Sequence, residues 1–204
     1  MARSKTIRKQ TPDANELLLA ELKEIHSAES QLTKALPRMA KAIESERLQQ
    51  KLEQRLERAE RLLEELDSAF ETLGGSPGRT RNIAAEGLIG EAREHTQEIE
   101  HGPALDTVLL GAIQKTEHYC IGAWGTARAL AEAAGQDQVV KSLIRVIEEG
   151  KAYDAELTGL AQSEITPALL SMSEQSDETE EEEHGPAGRS RKSTGSSTGR
   201  HVSH

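Results

Sequence analysis

The chain has 204 residues, 35% of them hydrophobic but only 2% aromatic, and it carries 35 acidic against 25 basic side chains for a formal charge of −10. So few aromatic residues argue against a β-sandwich and for a core of Leu, Ile, Val and Ala between packed helices, while the acidity disfavours nucleic acid as a partner of the folded part. A single cysteine excludes an internal disulfide framework and fits a reducing compartment.

Residues 1–12 read as a disordered basic arm that ends at Pro12. The first ten residues lack the apolar segment of a secretory signal, and no run approaches the ~18 apolar residues of a membrane span, so a cytoplasmic protein is expected. Helix one begins with Asp13 as N-cap and Glu16 three residues on, the capping-box arrangement. Its apolar stripe, Leu18, Leu22, Ile25, Glu29, Leu32, Leu36, Met39 and Ile43, steps by three and four without a break. Glu29 sits at its centre, and Pro37 is read as a kink within the helix rather than its end.

Helix two is expected over about residues 46–73, stopped by Gly74-Gly75 with Pro77 beyond. Its stripe runs Leu48, Leu52, Arg55 or Leu56, Ala59, Leu62 or Leu63, Leu66, Phe70, Leu73. Arg55 and Arg58 flank or enter that stripe. Snorkelling from the helix edge is the simpler expectation, more so for Arg55 than for Arg58. The long connection 74–103 holds a short amphipathic segment, about 83–99, with Leu88, Ile89 and Ala92 on its apolar face. A crossover of this length lets helices two and three run parallel, as a ferritin-like bundle requires.

Helix three opens at Pro103 and ends at Gly135. Its stripe passes through Leu105, Leu109, Ile113, Thr116, Cys120, Ala123, Ala127, Leu130 and Ala134, with Glu117 beside it. Helix four, about 137–163, places Val140, Leu143, Ile147, Gly150, Asp154, Leu157 and Ala161 on one face. From residue 166 onward Ser, Glu and Gly dominate and the tail is expected to be disordered. The organisation is therefore a basic arm over 1–12, an all-α four-helix bundle over 13–165 with an extra helix in its crossover, and a tail over 166–204.

Carboxylates on a buried stripe need a cation or hydrogen bonds, because an ionised acid is costly in a low-dielectric interior. Glu29 and Asp154 would converge there. Iron or manganese is one natural partner, held by carboxylate and imidazole groups, with Glu117, His118 and His26 as further candidates. An arginine would balance the same charge without metal. Adjacent helix residues point about 100° apart, so Glu117 and His118 are not expected both to face the centre. The sequence contains no Gly-rich phosphate loop, Cys-x-x-Cys pair or nucleophile elbow, and Cys120 reads as a small core residue.

The runs His26-Ser27-Ala28-Glu29-Ser30-Gln31-Leu32, Glu86-Gly87-Leu88-Ile89 and Gln114-Lys115-Thr116-Glu117-His118-Tyr119 resemble the YciE/YciF-type ferritin-like stress proteins, in matching order over roughly residues 13–165. The resemblance implies a ferritin-like bundle, dimerisation and, in the better-equipped members, a dinuclear metal site. Positions 29, 58, 62, 120, 150 and 154 are those that would converge. Here they hold Glu29, Arg58, Leu62, Cys120, Gly150 and Asp154, so two oxygen ligands remain.

These observations favour a stress-associated bundle with a degenerate dimetal centre, no catalytic residues and a structural or interaction role. In this reading Arg58 replaces the metal as counter-ion to both Glu29 and Asp154, and no cofactor is needed. The competing reading is a residual di-iron or di-manganese oxidase or peroxidase using Glu29, Glu117, His118 and Asp154. A third is association with nucleic acid through Arg3, Lys5, Arg8, Lys9 and the tail, which the net charge disfavours. A homodimer without membrane contact is the expected assembly.

Overall fold

The computed structural model of the chain describes residues 11–173. Among these the fold is all-α, with five helices in the order α1 (Ala14–Ala40), α2 (Glu46–Thr72), α3 (Ile83–Glu98), α4 (Pro103–Ala133) and α5 (Asp137–Leu160). Both the basic residues 1–10 and the tail beyond 173 lie outside the described residues.

Local chemistry sets the helix ends. Asp13 accepts from the Glu16 amide at 2.9 Å while its own amide donates to the Glu16 carboxylate at 3.0 Å, so the capping box opens α1 as expected. Pro37 sits inside α1, which continues to Ala40. Ser45 caps α2 through the Leu48 amide. Past its other end Gly74 takes φ +67°, and the Gly75 amide returns to the Phe70 carbonyl at 2.8 Å. A Cβ on Gly75 would lie 2.6 Å from Leu19 Cδ2, so a side chain there would push the tip of that half-buried leucine aside. Pro103 supplies the first turn of α4, where its missing N–H costs nothing.

Hydrogen bonds between helix ends define the topology. Buried Asp106, in the first turn of α4, accepts from the Glu44 and Ser45 amides at 2.9 and 2.7 Å, joining the end of α1 and the start of α2. Ser45 and Arg47 also bind Glu164, beyond α5. At the opposite end Gln136, just before α5, reaches Asn15 of α1. Thus α1 runs antiparallel to α4 and α2 antiparallel to α5, while α2 and α4 are parallel. That is the ferritin-like arrangement, which the length of the crossover permits.

The crossover helix α3 lies against α1 and α4. Asn82 secures it: the side-chain amide donates to the Glu24 carbonyl and the Tyr119 hydroxyl, and its carbonyl oxygen caps α3 through the Ala85 amide. Its backbone amide binds Ser27 Oγ at 3.0 Å, and its backbone carbonyl accepts from Gln31. A side chain 2% exposed thus ties α1, α3 and α4 together.

Two expectations about the fourth bundle helix need correction. Its inward face carries Val139, Leu143, Val146, Ile147, Gly150, Tyr153, Leu157 and Leu160, so Tyr153 rather than Asp154 points to the core. The apolar face of α5 is wide enough for either phase, and the larger area of Tyr153 favours its burial. Nor does helical structure stop at 165. A π-helical turn, Ala161–Ile165, follows α5, and residues 166–173 continue as exposed α-helix. Ser171 and Ser173 there donate to carbonyls four and three residues back, respectively.

Candidate functional site

The centre of the bundle holds four charges in close contact. Arg55, on α2, is 2% exposed, and Glu29, on α1, is fully buried. The guanidinium grips the Glu29 carboxylate in a fork, Nη1 to Oε2 at 2.9 Å and Nη2 to Oε1 at 3.1 Å. Its Nε donates to Glu117 Oε2, on α4, at 2.8 Å. One planar cation therefore binds two carboxylates from two other helices, a geometry that lysine could not reproduce. Burial alone would lower the pKa of Arg55, but Glu29 and Glu117 outweigh it and hold it well above the ordinary value.

Arg58 lies one turn along α2 and 8% exposed. It donates to the second oxygen of Glu117 and, through Nη1, to the Glu149 carbonyl at 3.2 Å. Its guanidinium carbon sits 4.9 Å from the centroid of the Tyr153 ring, a cation–π contact. Tyr153 is itself fixed by a bond from its hydroxyl to the Lys51 carbonyl. Two cations thus meet two anions, and this four-residue cluster carries no net charge.

Neighbouring positions make room for this arrangement. A Cβ on Gly150 would lie 3.0 Å from Glu117 Oε1 and 3.1 Å from Ile121 Cγ1, so the absence of a side chain lets Glu117 reach Arg58. Leu62 fills the adjoining core at 2% exposure. Cys120 lies 3.8 Å from Arg55 Nη2. Burial, with Glu29 adding to it, pushes its thiol far above the usual range, so it stays protonated and unreactive. The cavity beside Arg55 and Glu117 measures about 10 Å³, the size of one water. A larger cleft of about 340 Å³ lies between α2 and α5 over Trp124, away from these charges.

Comparison with the expected site shows what the fold brings together. Glu29 and Glu117 meet, but through Arg55. Arg58 does not bridge Glu29 and Asp154, and Arg55 does not snorkel, because its α2 position projects straight into the bundle. Asp154 is partly exposed and pairs with His118 at 3.0 Å, whose side chain is 66% exposed. Gln114 donates to the same carboxylate at 3.4 Å. His26 faces Asp67 at 3.6 Å and packs edge-on to Phe70. Among the described residues, no three His, Cys, Asp or Glu side chains are placed to hold a metal ion. The signal for Arg55 was present in the sequence: it occupies the step between Leu52 and Ala59 in the stripe of α2. Tyr153 fits the steps of α5 equally well, but so does Asp154.

Residues 13–170 match the family described as "Domain of unknown function (DUF892)". The chain belongs to the DUF892 family. It is 39% identical over 141 residues to Protein YciF of Escherichia coli (strain K12), an alignment covering 69% of this chain and 85% of that one. Its fold matches the crystal structure of the E. coli stress protein YciF with a TM-score of 0.73 at 35% identity, over 76% of this chain and 99% of the other. A second solved structure, YcfI from Rhodopseudomonas palustris, matches with a TM-score of 0.70 at 37% identity, covering 76% and 98%. These matches place the DUF892 portion over the five helices and the π turn. Among the described residues, no helix is long and apolar enough to cross a membrane.

Proposed function

We propose that this protein is a cytoplasmic, homodimeric, stress-associated bundle that works through its fold and surfaces, its dimetal position taken by its own arginines. The Arg55 guanidinium between Glu29 and Glu117 carries this reading. The stress association comes from the likeness to the E. coli stress protein, and a buried free thiol is consistent with a reducing compartment.

Iron or manganese would need open carboxylate and imidazole ligands facing one cavity. The residues present do not fit that demand. Glu29 and Glu117 are already bound by guanidinium groups, position 150 offers no side chain, and the cation at 58 repels a second positive charge. The competing oxidase or peroxidase reading also requires His118 and Asp154, whose mutual pair lies on the outer side of α4 and α5.

The test is the metal content of the full-length protein after exposure to Fe(II) or Mn(II) and gel filtration. No stoichiometric retention and no shift of the unfolding midpoint are expected. Retention of one or two ions per chain, abolished by Glu29→Gln, would restore the enzyme reading. Sedimentation analysis checks the dimer separately.

A further inference from the structure

Among the described residues, Lys34, Arg38 and Arg93 make neither an ion pair nor a side-chain hydrogen bond. All three line one groove of about 260 Å³ between α1 and α3, floored by Ala35, Ile89 and Gly90. Lys34 and Arg38 stand four residues apart on α1, a spacing that brings like charges together at a cost. The last turn of α1 compensates Arg38 through the helix dipole. Among the described residues nothing comparable compensates Lys34 or Arg93.

The acid in the wall of this groove does not neutralise it. Glu86 is held by Arg81 through both of its oxygens, at 2.6 Å each, and that hydrogen bonding pulls its pKa below the usual carboxylate value. A chain of net charge −10 therefore presents a concave site where three cations converge and the carboxylate in the wall, Glu86, is already taken by Arg81.

The same chain carries a matching anion. Residues 177–183 read Asp-Glu-Thr-Glu-Glu-Glu-Glu, six acids in seven positions. We propose that this acidic run seats in the α1/α3 groove on Lys34, Arg38 and Arg93.

Reach supports that occupant. Ala168 lines a hollow together with Glu44 and Pro103, at the end of the bundle where Arg38 occupies the last turn of α1. Glu183 lies ten positions beyond Ser173, a stretch that spans at most about 35 Å when extended. The other basic segment, residues 1–10, joins the opposite end of α1. That helix of 27 residues is about 40 Å long, which puts the groove nearer than the arm. Tethering also gives the acidic run an effective concentration that a free anion would have to match.

Zero-length carbodiimide cross-linking of the full-length protein tests the contact directly. An equal mixture of unlabelled and ¹⁵N-labelled chains identifies links made within one chain. The expected result is a link from Lys34 to residues 177–183 within a chain, with none from Lys141 on α5, and its loss at high salt. A link from Lys5 or Lys9 instead of Lys34, a link formed mainly between chains, or no Lys34 link overturns the proposal.

A second measurement addresses a foreign anion. Phenylglyoxal should modify Arg38 and Arg93 faster when the acids of 177–183 are changed to Gln and Asn than in the natural chain. Equal rates in the two proteins, with slowing only on addition of inorganic polyphosphate, would assign the groove to an external polyanion and end the intramolecular proposal.

Discussion

Glu117 and His118 are neighbours in sequence and belong to different worlds in the fold. Glu117 is 2% exposed and bound by two arginines, while His118 is 66% exposed and meets one partly exposed aspartate. A rotation of about 100° per residue is all that separates them. It decides whether a charge is an exposed member of a solvent-screened pair or a member of a closed interior set in which each partner depends on the others. Two anions in the core with one cation removed face a desolvation cost that water cannot relieve. The outer pair is screened and can reorganise.

The strongest way to break this contrast is to remove Arg55. Arg55→Ala strips the fork from Glu29 and one partner from Glu117, and should cost about 3–5 kcal/mol in urea unfolding. Arg58→Ala should cost less, about 1–3 kcal/mol, because Glu117 keeps Arg55. Equal and small losses in both variants would mean that the cluster is not the dry, interdependent set described above.

A second effect comes from the thiol beside the cluster. In the unfolded chain Cys120 ionises near its ordinary value of 9.0, whereas burial, reinforced by Glu29, keeps it protonated in the folded protein. Above pH 9 the folded state therefore binds more protons than the unfolded state, so stability falls as pH rises, by up to about 1.4 kcal/mol per pH unit. Tyr153, whose pKa burial also raises from an ordinary 10.0, adds to the fall at higher pH. Unfolding free energies measured at pH 8 and pH 10 should show a shallower loss in Cys120→Ala than in the natural chain. Identical slopes would show that the thiol ionises equally in both states.

The smallest effect belongs to the outer pair. His118→Ala and Asp154→Ala should each change stability by less than about 1 kcal/mol. A loss approaching that of Arg55→Ala would place the pair in the energetic core and erase the distinction.

Much of the fold was legible because its signals are local. The Asp13–Glu16 capping box, the Gly74-Gly75 stop, Pro103 at the start of α4 and the regular stripe of α1 each act within one or two turns. The centre was harder. Glu29 stood out because regular apolar spacing continues on both sides of it. Arg55 occupies a step of the α2 stripe, but which carboxylates each arginine reaches depends on how α2 is rotated against α1 and α4. On α5, Tyr153 and Asp154 both fit steps of three and four, and only packing beneath Arg58 fixes the phase. The helical turns at 166–173 were missed because the polar, acidic composition of the residues beyond them was extended back over Leu169, Leu170 and Met172.

The anchoring at Asn82 has a consequence for chain length. The segment between α2 and α4, residues 73–102, would behave as one long loop if held only at its ends. Asn82 instead pins its middle to α1 and α4, leaving residues 73–81 as a separate short closure. The entropy of closing a loop grows only with the logarithm of its length, about 0.6 kcal/mol for each doubling. Extra residues around Gly78, where a Cβ would meet no atom within 4 Å, therefore add little to that cost and leave the position of α3 unchanged. Length variation is absorbed on the near side of Asn82, while the helices that frame Glu29 and Glu117 keep their spacing.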